Sequence, residues 1–561
     1  METTKLTYDI SRCYLQDRKG TLPEETYKLL HGWIRARNFK DLAACGDLSA
    51  HDVTGAEGAR TLLQLEAFFS KNASFTDSQT ARLSALVSFE MGEDLCEETN
   101  NRLDAFLCKR PCHHSDDEAD LARKIRRAQY YIESLLGPFQ DFLHDLPKLV
   151  QVTAGATATR PRRKSMPFLK ISKKIVCTPG AFPYIDKLSE YFGYGPCRGM
   201  LVSRNRVAFV PKSWKTERTI ACEPEGNVAL QLAFDKYAKR RLRRKGLDLS
   251  DQTRNQQLAK EGSISDNLST IDLSMASDTL AYNTVACLLP EVWFRYLRSI
   301  RSQYYEMYQD NREAYHKFSS MGNGATFAIE TVVFAAACYA VGSKRFTVYG
   351  DDIIIEQHCA DELVALLAFL GFVPNTDKTF TKGPFRESCG KSWYQGIDIT
   401  PRYIRSLDGR KATWCHLANC MMEISDPYGS LETLIHQMIG EKRLPYVPYN
   451  EDSMSGVWIH PFFAYSEKLI RTPTRGRYAW RPRYKAYKAK DHVLQVTDSR
   501  ALFLWHLQAF GKKYRNRPIV SSRYTSSSHR YVRKWVHWKP VVGAPDHLFE
   551  WSDNLVRGIR R

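Results

Sequence analysis

Apolar and polar positions divide the centre of the chain into short strands and helices. Apolar runs at 345–348 and 353–355 flank the tetrapeptide Tyr349-Gly350-Asp351-Asp352, a pattern that predicts a strand, a tight turn and a second strand. Gly350 suits the turn because glycine adopts backbone conformations that other residues avoid. The predicted hairpin therefore carries two adjacent carboxylates at its tip.

The segments around this hairpin also follow recognisable patterns. Residues 270–274 form a predicted short strand that includes Asp272 and ends in polar residues. The apolar run 329–338 predicts a mostly buried helix, which is too short to span a membrane and is interrupted by Glu330. Acids at 361–362 and a glycine at 371 mark a further helix, after which Lys378 returns toward the acids.

The three carboxylates predict a metal site. Clustered acids repel one another unless a cation lies between them, and oxygen ligands on a rigid turn suit Mg²⁺. If neighbouring strands bring Asp272 beside Asp351 and Asp352, the three acids hold two ions about 4 Å apart, as in-line displacement at phosphorus requires. Taken singly, each feature has a simpler explanation, namely an ordinary Gly-Asp turn, a solvated strand end or a solvated lysine.

Three motifs in order carry a resemblance. They are Ile271-Asp272-Leu273-Ser274-x-Ala276-Ser277-Asp278, Ser320-Met321-Gly322-Asn323-Gly324 and Tyr349-Gly350-Asp351-Asp352-Ile353-Ile354. They resemble motifs A, B and C of RNA-directed RNA polymerases, specifically the replicase subunit of the single-stranded RNA bacteriophages (leviviruses). Segments 371–380 and 385–398 also resemble that family. The similarity is dense from about 209 to 404 and faint after about 420.

The resemblance implies a role for each matching residue. Asp272, Asp351 and Asp352 would bind two Mg²⁺ ions, with Mn²⁺ as a substitute, and Lys378 would be the general acid for pyrophosphate. The segment 211–220 resembles motif F, whose cations hold the incoming triphosphate; Arg offers a bidentate fork to phosphate and Lys a mobile charge. The residues implied in nucleotide binding are Lys212, Lys215, Arg218, Ser277, Asp278, Ser320, Gly322 and Asn323.

One departure concerns the ribose. Many viral polymerases have a second Asp five positions after the first in motif A. Here that position is Ser277, and the acid is Asp278. Which of the two reaches the ribose is open.

The resemblance also implies the architecture. It predicts an α+β fold, the right-hand polymerase with fingers, palm and thumb, in which an antiparallel palm sheet carries the catalytic acids. The predicted divisions are an N-terminal and fingers region at 1–200, a palm with an inserted fingers segment at 200–405 (motif F 209–220, motifs A to E 271–398, catalytic core about 258–390), and a thumb with a basic C-terminal region at 406–561.

Composition fits a nucleic-acid partner. The 561 residues are 43% hydrophobic, which excludes a disordered chain, and the formal net charge of +19 favours a polyanion. The 14 cysteines form no paired Cys-x-x-Cys set, so free thiols are expected. A zinc site is the weaker alternative at Cys108, Cys112, His113 and His114. No signal peptide or membrane-length apolar run is evident.

Charge is unevenly distributed. Residues 90–120 are acidic, whereas 160–174 is a basic segment predicted to be a mobile loop near template or nucleotide, or else a solvated charge run. Tract 471–490 interleaves cations with aromatics, as single-strand binders do, and tract 512–539 suggests RNA handling or a host-protein dock. A helix predicted at 228–245 ends in more cations than its dipole explains, which favours RNA contact: Lys239, Arg240, Arg241, Arg243, Arg244 and Lys245.

The predicted function is synthesis of RNA on a single-stranded phage RNA template from ribonucleoside triphosphates. The resemblance implies host elongation factors Tu and Ts, a ribosomal small-subunit protein, the cytoplasm of the infected bacterium and no membrane. A reverse transcriptase is one alternative, although such enzymes usually have a bulky aromatic where this chain has Ala276-Ser277-Asp278. A non-catalytic RNA-binding or packaging protein is another, but it leaves the three ordered acids unexplained.

Overall fold

The structure is a computed structural model. It describes residues 3–46, 55–161, 170, 174–193, 195–307, 312–405, 409–449, 451–460, 462–463, 483–489, 492–494, 520–522, 531–537 and 544–560. Helices and small, mostly antiparallel sheets are mixed along the chain, so the α+β content expected from the sequence is confirmed.

The helices, in chain order, are α1 Thr3–Asp17, α2 Glu24–Ala36, α3 Phe39–Leu42, α4 Ala56–Phe69, α5 Ser78–Cys108, α6 Asp116–Leu136, α7 Phe139–Leu149, α8 Phe182–Tyr191, α9 Glu225–Arg244, α10 Thr253–Ser265, α11 Tyr282–Leu288, α12 Glu291–Ser299, α13 Thr326–Ala340, α14 Ala360–Phe369, α15 Lys411–Met422, α16 Ser430–Lys442 and α17 Asp546–Arg560.

The strands, in chain order, are β1 Lys174–Cys177, β2 Arg198–Leu201, β3 Arg204–Pro211, β4 Glu217–Cys222, β5 Leu268–Ile271, β6 Leu273–Ser274, β7 Tyr304–Glu306, β8 Arg312–Ala314, β9 Phe346–Tyr349, β10 Asp352–Glu356, β11 Val373–Pro374, β12 Phe385–Ser388, β13 Lys391–Tyr394, β14 Ile397–Asp398, β15 Tyr446–Pro448, β16 Val457–Ile459, β17 Arg483–Ala489, β18 His492–Leu494, β19 Val520–Ser522 and β20 Tyr531–His537.

Local sequence explains how several helices begin and end. Helix α6 begins with a capping box, in which the Ser115 hydroxyl accepts the Glu118 N–H and the Glu118 carboxylate accepts the Ser115 N–H. Helix α14 ends before Gly371, whose φ of +97° favours glycine. Helix α13 is buried along nearly its whole length, so its apolar sequence faces protein on all sides. The predicted strand–turn–strand and the two central helices are therefore confirmed.

Two large apolar cores organise the chain. The larger core packs α13 against α6, α9, α12 and the strands of the central sheet. The second core joins the N-terminal helices α1 to α4 with α15, α16 and α17. The N-terminal segment therefore packs with residues near the C-terminus, and the domain boundaries placed at 200 and 405 stay predictions.

Two sheets position the candidate site. The central sheet has the strand order β5-β10-β9 and is antiparallel throughout. The second sheet has the order β4-β3-β7-β8, and its β3–β4 hairpin carries the segment that resembles motif F. The tip of that hairpin is held by the N-terminal helices, because the Trp214 N–H donates to the Ser70 carbonyl and the Trp214 ring packs edge-on against Phe39.

The structure modifies two predictions about basic segments. At the end of α9, Lys239 pairs with Asp235, Arg240 with Asp145 and Arg243 with Asp248. Arg241 donates to the carbonyls of Leu135 and Ser134. Four of the six cations thus have structural partners, and RNA contact stays a prediction for this end of the helix.

The basic segment 160–174 is only partly described. Arg160 forms an ion pair with the buried Glu225, and the Lys170 ammonium donates to the Thr153 carbonyl. These two cations therefore stabilise the fold and do not belong to a freely solvated run. Arg162, Arg163, Lys164 and Lys173, tract 512–539 apart from short strands, and tract 471–490 outside β17 lie outside the described residues.

The structure also bears on the cysteines, on the alternative zinc ligands and on membrane-spanning helices. All fourteen cysteines are free thiols, as expected. Cys108, Cys112, His113 and His114 belong to no set of metal-ligating atoms among the described residues. Across the same residues, no helix has the length and apolar content needed to cross a membrane.

Candidate active site

The β9–β10 hairpin presents Asp351 at its tip. Tyr349 pairs with Asp352, so Gly350 and Asp351 form a two-residue turn. Gly350 has a φ of +64°, and a Cβ added there would lie 2.4 Å from the Phe327 ring. Its N–H donates to the Thr331 hydroxyl at 3.1 Å. Both the backbone conformation and the close packing against α13 therefore require glycine.

Strand β5 brings Asp272 beside this hairpin. In the antiparallel register Ile271 lies opposite Ile353, so Asp272 leaves the sheet next to Asp351 and Asp352. Asn375 fixes the strand end, since its side-chain amide donates to Asp272 Oδ2 at 3.1 Å and its N–H to the Asp272 carbonyl at 2.9 Å. The predicted meeting of the three acids on neighbouring strands is confirmed.

Asp352 is the most desolvated of the three carboxylates. Its Oδ1 accepts the Cys389 N–H at 3.0 Å and the Ser388 hydroxyl at 3.3 Å. Burial raises the pKa of Asp352 to about 6. The hydrogen bond from the Cys389 N–H lowers this pKa, whereas the negative charge of Asp351 raises it further. Burial also raises the pKa of Asp272, although the Lys378 charge opposes it. The fold therefore brings carboxylates together in desolvated surroundings, where their negative charges are energetically unfavourable.

The three acids do not form one compact set of ligand atoms. No choice of one oxygen from each of Asp272, Asp351 and Asp352 puts all three within 4.8 Å of one another. Oxygens around a single Mg²⁺ lie within about 4.2 Å, since each is about 2.1 Å from the ion. Among the residues that the structure describes, the set that meets the 4.8 Å limit lies elsewhere, at Glu356, His358 and Cys359.

Cations face the acids from two sides. The charges of Glu387, Asp272 and Asp352 raise the pKa of Lys378 against the opposing effect of desolvation, which places this lysine among the acids. Desolvation lowers the pKa of Lys212, with Arg218 and Lys378 as neighbouring cations and Asp272 and Asp351 as opposing anions. Lys378 and Lys212 thus lie near the acids, with Arg218 beside Lys212, and their contact with a nucleotide stays a prediction.

Lys215 is the exception within the β3–β4 hairpin. It lies at the hairpin tip, with its ammonium 5.5 Å from the centre of the Trp214 ring. Among the described residues, no contact brings the Lys215 ammonium near the three acids. Lys212 differs, because the charges of Asp272 and Asp351 act on its pKa. The contact of Lys215 with a nucleotide stays a prediction.

The loop before α13 is rigidly held. Gly322 has a φ of +109°, and an added Cβ would lie 2.3 Å from the Ala221 carbonyl oxygen. Asn323 Oδ1 accepts the Ala325 N–H at 2.9 Å, while the Ser320 carbonyl accepts the Thr326 hydroxyl at 3.0 Å. Ser320 and Asn323 are nearly buried, and both help to begin the helix. Their role in nucleotide binding stays a prediction.

Asp278 differs from the other acids because it has a buried cation beside it. Lys317 Nζ lies 2.9 Å from Asp278 Oδ1 and 3.1 Å from Glu93 Oε1. Ser277 is half-buried and makes no side-chain hydrogen bond within the described chain. Asp278 is therefore the better-anchored candidate for the ribose.

Several residues near the site were not predicted. Glu387 acts on the pKa of Lys378, and Lys71 lies 3.7 Å from the centre of the Tyr403 ring with Lys378 and Arg405 nearby. Burial raises the pKa of Glu330 well above its usual range, with Asp351 and Asp278 adding to the shift. Glu330 could have been found from the sequence, because it is a carboxylate within an apolar helix. Lys71 could not, because only long-range packing brings it near Lys378.

Sequence comparison identifies similar proteins. The family model described as RNA replicase, beta-chain, matches residues 54–422. The chain is 38% identical over 324 residues to the RNA-directed RNA polymerase subunit beta of Escherichia virus Qbeta, covering 56% of this chain and 54% of that protein. It is 37% identical over 267 residues to the RNA-directed RNA polymerase beta chain of Escherichia phage MS2, covering 45% and 48%. The matched part spans about half the length of these relatives.

Solved structures show a more distant likeness. The RNA-dependent RNA polymerase of BmCPV aligns with a TM-score of 0.38 at 12% identity, covering 56% of this chain and 33% of that one. The RNA-dependent RNA polymerase of a human picorbirnavirus aligns with a TM-score of 0.33 at 12% identity, covering 53% and 77%. Scores this low do not establish a common fold.

Proposed function

Because the chain belongs to the RNA replicase beta-chain family, we propose that it catalyses template-directed synthesis of RNA from ribonucleoside triphosphates. The observation that carries the proposal is the meeting of Asp272, Asp351 and Asp352 where β5 pairs with the β9–β10 hairpin. In this reaction the 3′-hydroxyl of the growing strand attacks the α-phosphate of the nucleotide, and pyrophosphate leaves.

The three acids are the proposed ligands for two Mg²⁺ ions, with Mn²⁺ as a substitute. Carboxylate oxygens are the donors that hard cations such as Mg²⁺ prefer. When bound, such ions lower the pKa of the attacking hydroxyl and stabilise the leaving pyrophosphate. Asn375, Ser388 and the Cys389 N–H orient Asp272 and Asp352, so each ligand keeps one fixed direction.

The neighbouring cations are the proposed triphosphate ligands. Lys212 lies near the acids on the β3–β4 hairpin with Arg218 beside it, and both can neutralise phosphate oxygens. Lys378 approaches from the segment after α14 and, with its pKa raised, is protonated at neutral pH. It therefore has a proton to give to the leaving pyrophosphate.

The finer architecture and the partners belong to the same proposal. The central sheet would be the palm, and the β3–β4 hairpin would belong to the fingers. The relatives are named as beta subunits, which supports further subunits. Elongation factors Tu and Ts, a ribosomal small-subunit protein and the cytoplasm of an infected bacterium remain proposals that rest on the family.

Ribonucleotide incorporation on a primed single-stranded template tests the function. Asp351→Asn keeps the shape of the turn but removes a charge, and we expect incorporation to fall about a thousandfold or more with RNA binding unchanged. Asp361→Asn, an exposed acid at the start of α14, is the matched control and should incorporate normally.

The same assay separates the alternatives. A packaging protein would bind RNA equally well in all three forms and incorporate nothing in any of them. A reverse transcriptase would prefer deoxynucleotides in the wild type. Incorporation within tenfold of wild type in Asp351→Asn would contradict the proposed role of the hairpin.

A further inference from the structure

A buried ion cluster lies behind the segment that follows Asp272. It consists of Lys317, Asp278 and Glu93, and is called the Lys317 cluster below. Lys317 Nζ contacts both carboxylates, at 2.9 Å and 3.1 Å, and its side chain has no exposed surface. The ammonium also lies 3.7 Å from the centre of the Phe89 ring. An unpaired charge in such a place is strongly unfavourable, so the two acids are needed to keep the lysine ionised.

Glu93 is held in place independently of the Lys317 ammonium. Its Oε2 accepts the His316 N–H at 2.7 Å and the Lys317 N–H at 3.4 Å. Its Oε1 is therefore presented to the ammonium from a rigid position on α5. Because two backbone N–H groups hold the Glu93 carboxylate, the ammonium has one favourable position between the two acids.

Helix α5 also holds the backbone of Asp278. An added Cβ at Gly92 would lie 3.0 Å from the Asp278 carbonyl oxygen, so the helix passes this residue in close contact. Cys96 Sγ donates to the same carbonyl at 3.4 Å. The Asp278 N–H in turn donates to the Met275 carbonyl at 2.7 Å. Backbone and carboxylate of Asp278 are thus both anchored.

Asp278 alone in the Lys317 cluster keeps appreciable solvent access. Its side chain is 17% exposed, against 8% for Glu93 and none for Lys317. Asp278 follows Asp272 by six positions, and its charge and that of Asp351 both act on the buried Glu330, so Asp278 and the hairpin tip lie near the same part of α13. With Oδ1 bound to the ammonium, Oδ2 has no hydrogen-bond partner among the described residues.

We propose that Lys317 and Glu93 are positioning residues for sugar selection, holding Asp278 so that its second oxygen accepts a hydrogen bond from the ribose 2′-hydroxyl. The inference rests on the proposed function and extends it to α5, far from the motifs in sequence. An acceptor fixed in advance loses little entropy when the nucleotide binds. A deoxynucleotide leaves that partly buried acceptor unpaired, which penalises the wrong sugar.

The test compares matched ribo- and deoxyribonucleotides in the full chain. Lys317→Met keeps the length of the side chain but removes the charge, and we expect the preference for ribonucleotides to shrink about tenfold. Asp278→Asn should shrink it to a similar extent. Combining the two should add little, because both changes disable the same acceptor.

Two further variants guard against misfolding. Glu93→Gln keeps an oxygen for the His316 N–H and retains Lys317, so it should fold and lose part of the preference, about threefold. Lys124→Met is the matched control, since Lys124 also bridges two acids, Asp120 in α6 and Glu362 in α14. It should leave the sugar preference at the wild-type value.

Equilibrium binding of ATP and 2′-deoxyATP with Mg²⁺ is measured alongside incorporation. If the wild type polymerises and prefers ribonucleotides while Lys317→Met and Glu93→Gln keep that preference, the inference is wrong and the function stands. An equal loss for both sugars would show a structural role and would also overturn it.

The binding measurement separates the two claims. If no polymer forms but ATP binds better than 2′-deoxyATP only in wild type and Lys124→Met, the function fails and the inference stands. A wild type without any sugar preference in binding or incorporation overturns the inference.

Discussion

Two groups of carboxylates lie close together in this protein, and the fold treats them differently. Asp272, Asp351 and Asp352 meet at the hairpin with raised pKa values for the two that are most desolvated. Asp278 and Glu93 share a fully buried lysine. The first group is left with excess negative charge that an external cation can neutralise, whereas the second is neutralised largely by the chain itself. A fully buried cation therefore distinguishes the acids that we propose to position the sugar contact from the acids that we propose to bind metal.

The largest expected contrast is in catalysis. Asp272→Asn should reduce ribonucleotide incorporation about a thousandfold or more, because it removes a proposed metal ligand. Asp278→Asn should reduce it only about tenfold, since it weakens one contact to the sugar. Initial rates on a primed template give both numbers. Equal losses would remove the distinction between the two groups.

The second contrast is between two lysines, each next to acids. Lys317→Met leaves buried carboxylates without a partner and should lower the free energy of unfolding by about 3–5 kcal/mol. Lys378 lies on the exposed side of the site, so Lys378→Met should change the free energy of unfolding by less than about 1 kcal/mol. Urea unfolding of both variants measures the difference. A large loss for Lys378→Met would show that the hairpin acids are also neutralised internally.

The third prediction concerns pH. Because the pKa of Asp352 is raised from 3.8 to about 6, the folded state binds this proton more tightly than the unfolded state does. Its contribution to stability is thus present below pH 3.8 and is lost as the pH rises through about 6. Cation binding has the opposite dependence: Mn²⁺ affinity should fall about tenfold per pH unit below 6, since the ligand must be deprotonated.

Asp352→Asn provides the control for that titration. The variant should bind Mn²⁺ more weakly and lose the dependence on pH near 6. A wild-type affinity that stays constant between pH 7 and 5 would show that Asp352 is ionised throughout, or that it is not a ligand.

The smallest expected effect is at Glu330. Burial raises the pKa of this residue well above its usual range, which favours the neutral form, and glutamine has nearly the same shape. Glu330→Gln should therefore change the rate of incorporation by less than about twofold, and the midpoint of thermal unfolding should barely move. A tenfold loss of rate would mean that its proton or its charge takes part in the reaction.

Features encoded in local sequence were predictable. The alternation around Gly350 and the apolar run of α13 specify the hairpin and the helix behind it, so the place of Asp351 and Asp352 followed from short-range patterns. Asp272 required one more step, the pairing of β5 with β10. Motif order supplied that step.

The Lys317 cluster could not be predicted in the same way. Lys317 and Glu93 are 224 positions apart, and Glu93 belongs to a run of acids that resembles a solvated surface in sequence. The cations of α9 show the same limit, because Asp145 and Asp248 reach them from other segments. Sequence reveals where charges are, but only tertiary packing decides which of them are already paired.

Direct measurement of Mn²⁺ binding by electron paramagnetic resonance tests the central claim. Wild type, Asp351→Asn and Asp278→Asn are titrated with Mn²⁺ at pH 7, and thermal unfolding confirms that each variant is folded. We predict that Asp351→Asn loses Mn²⁺ affinity by tenfold or more, while Asp278→Asn binds as the wild type does. Unchanged binding in Asp351→Asn together with loss in Asp278→Asn would contradict the account.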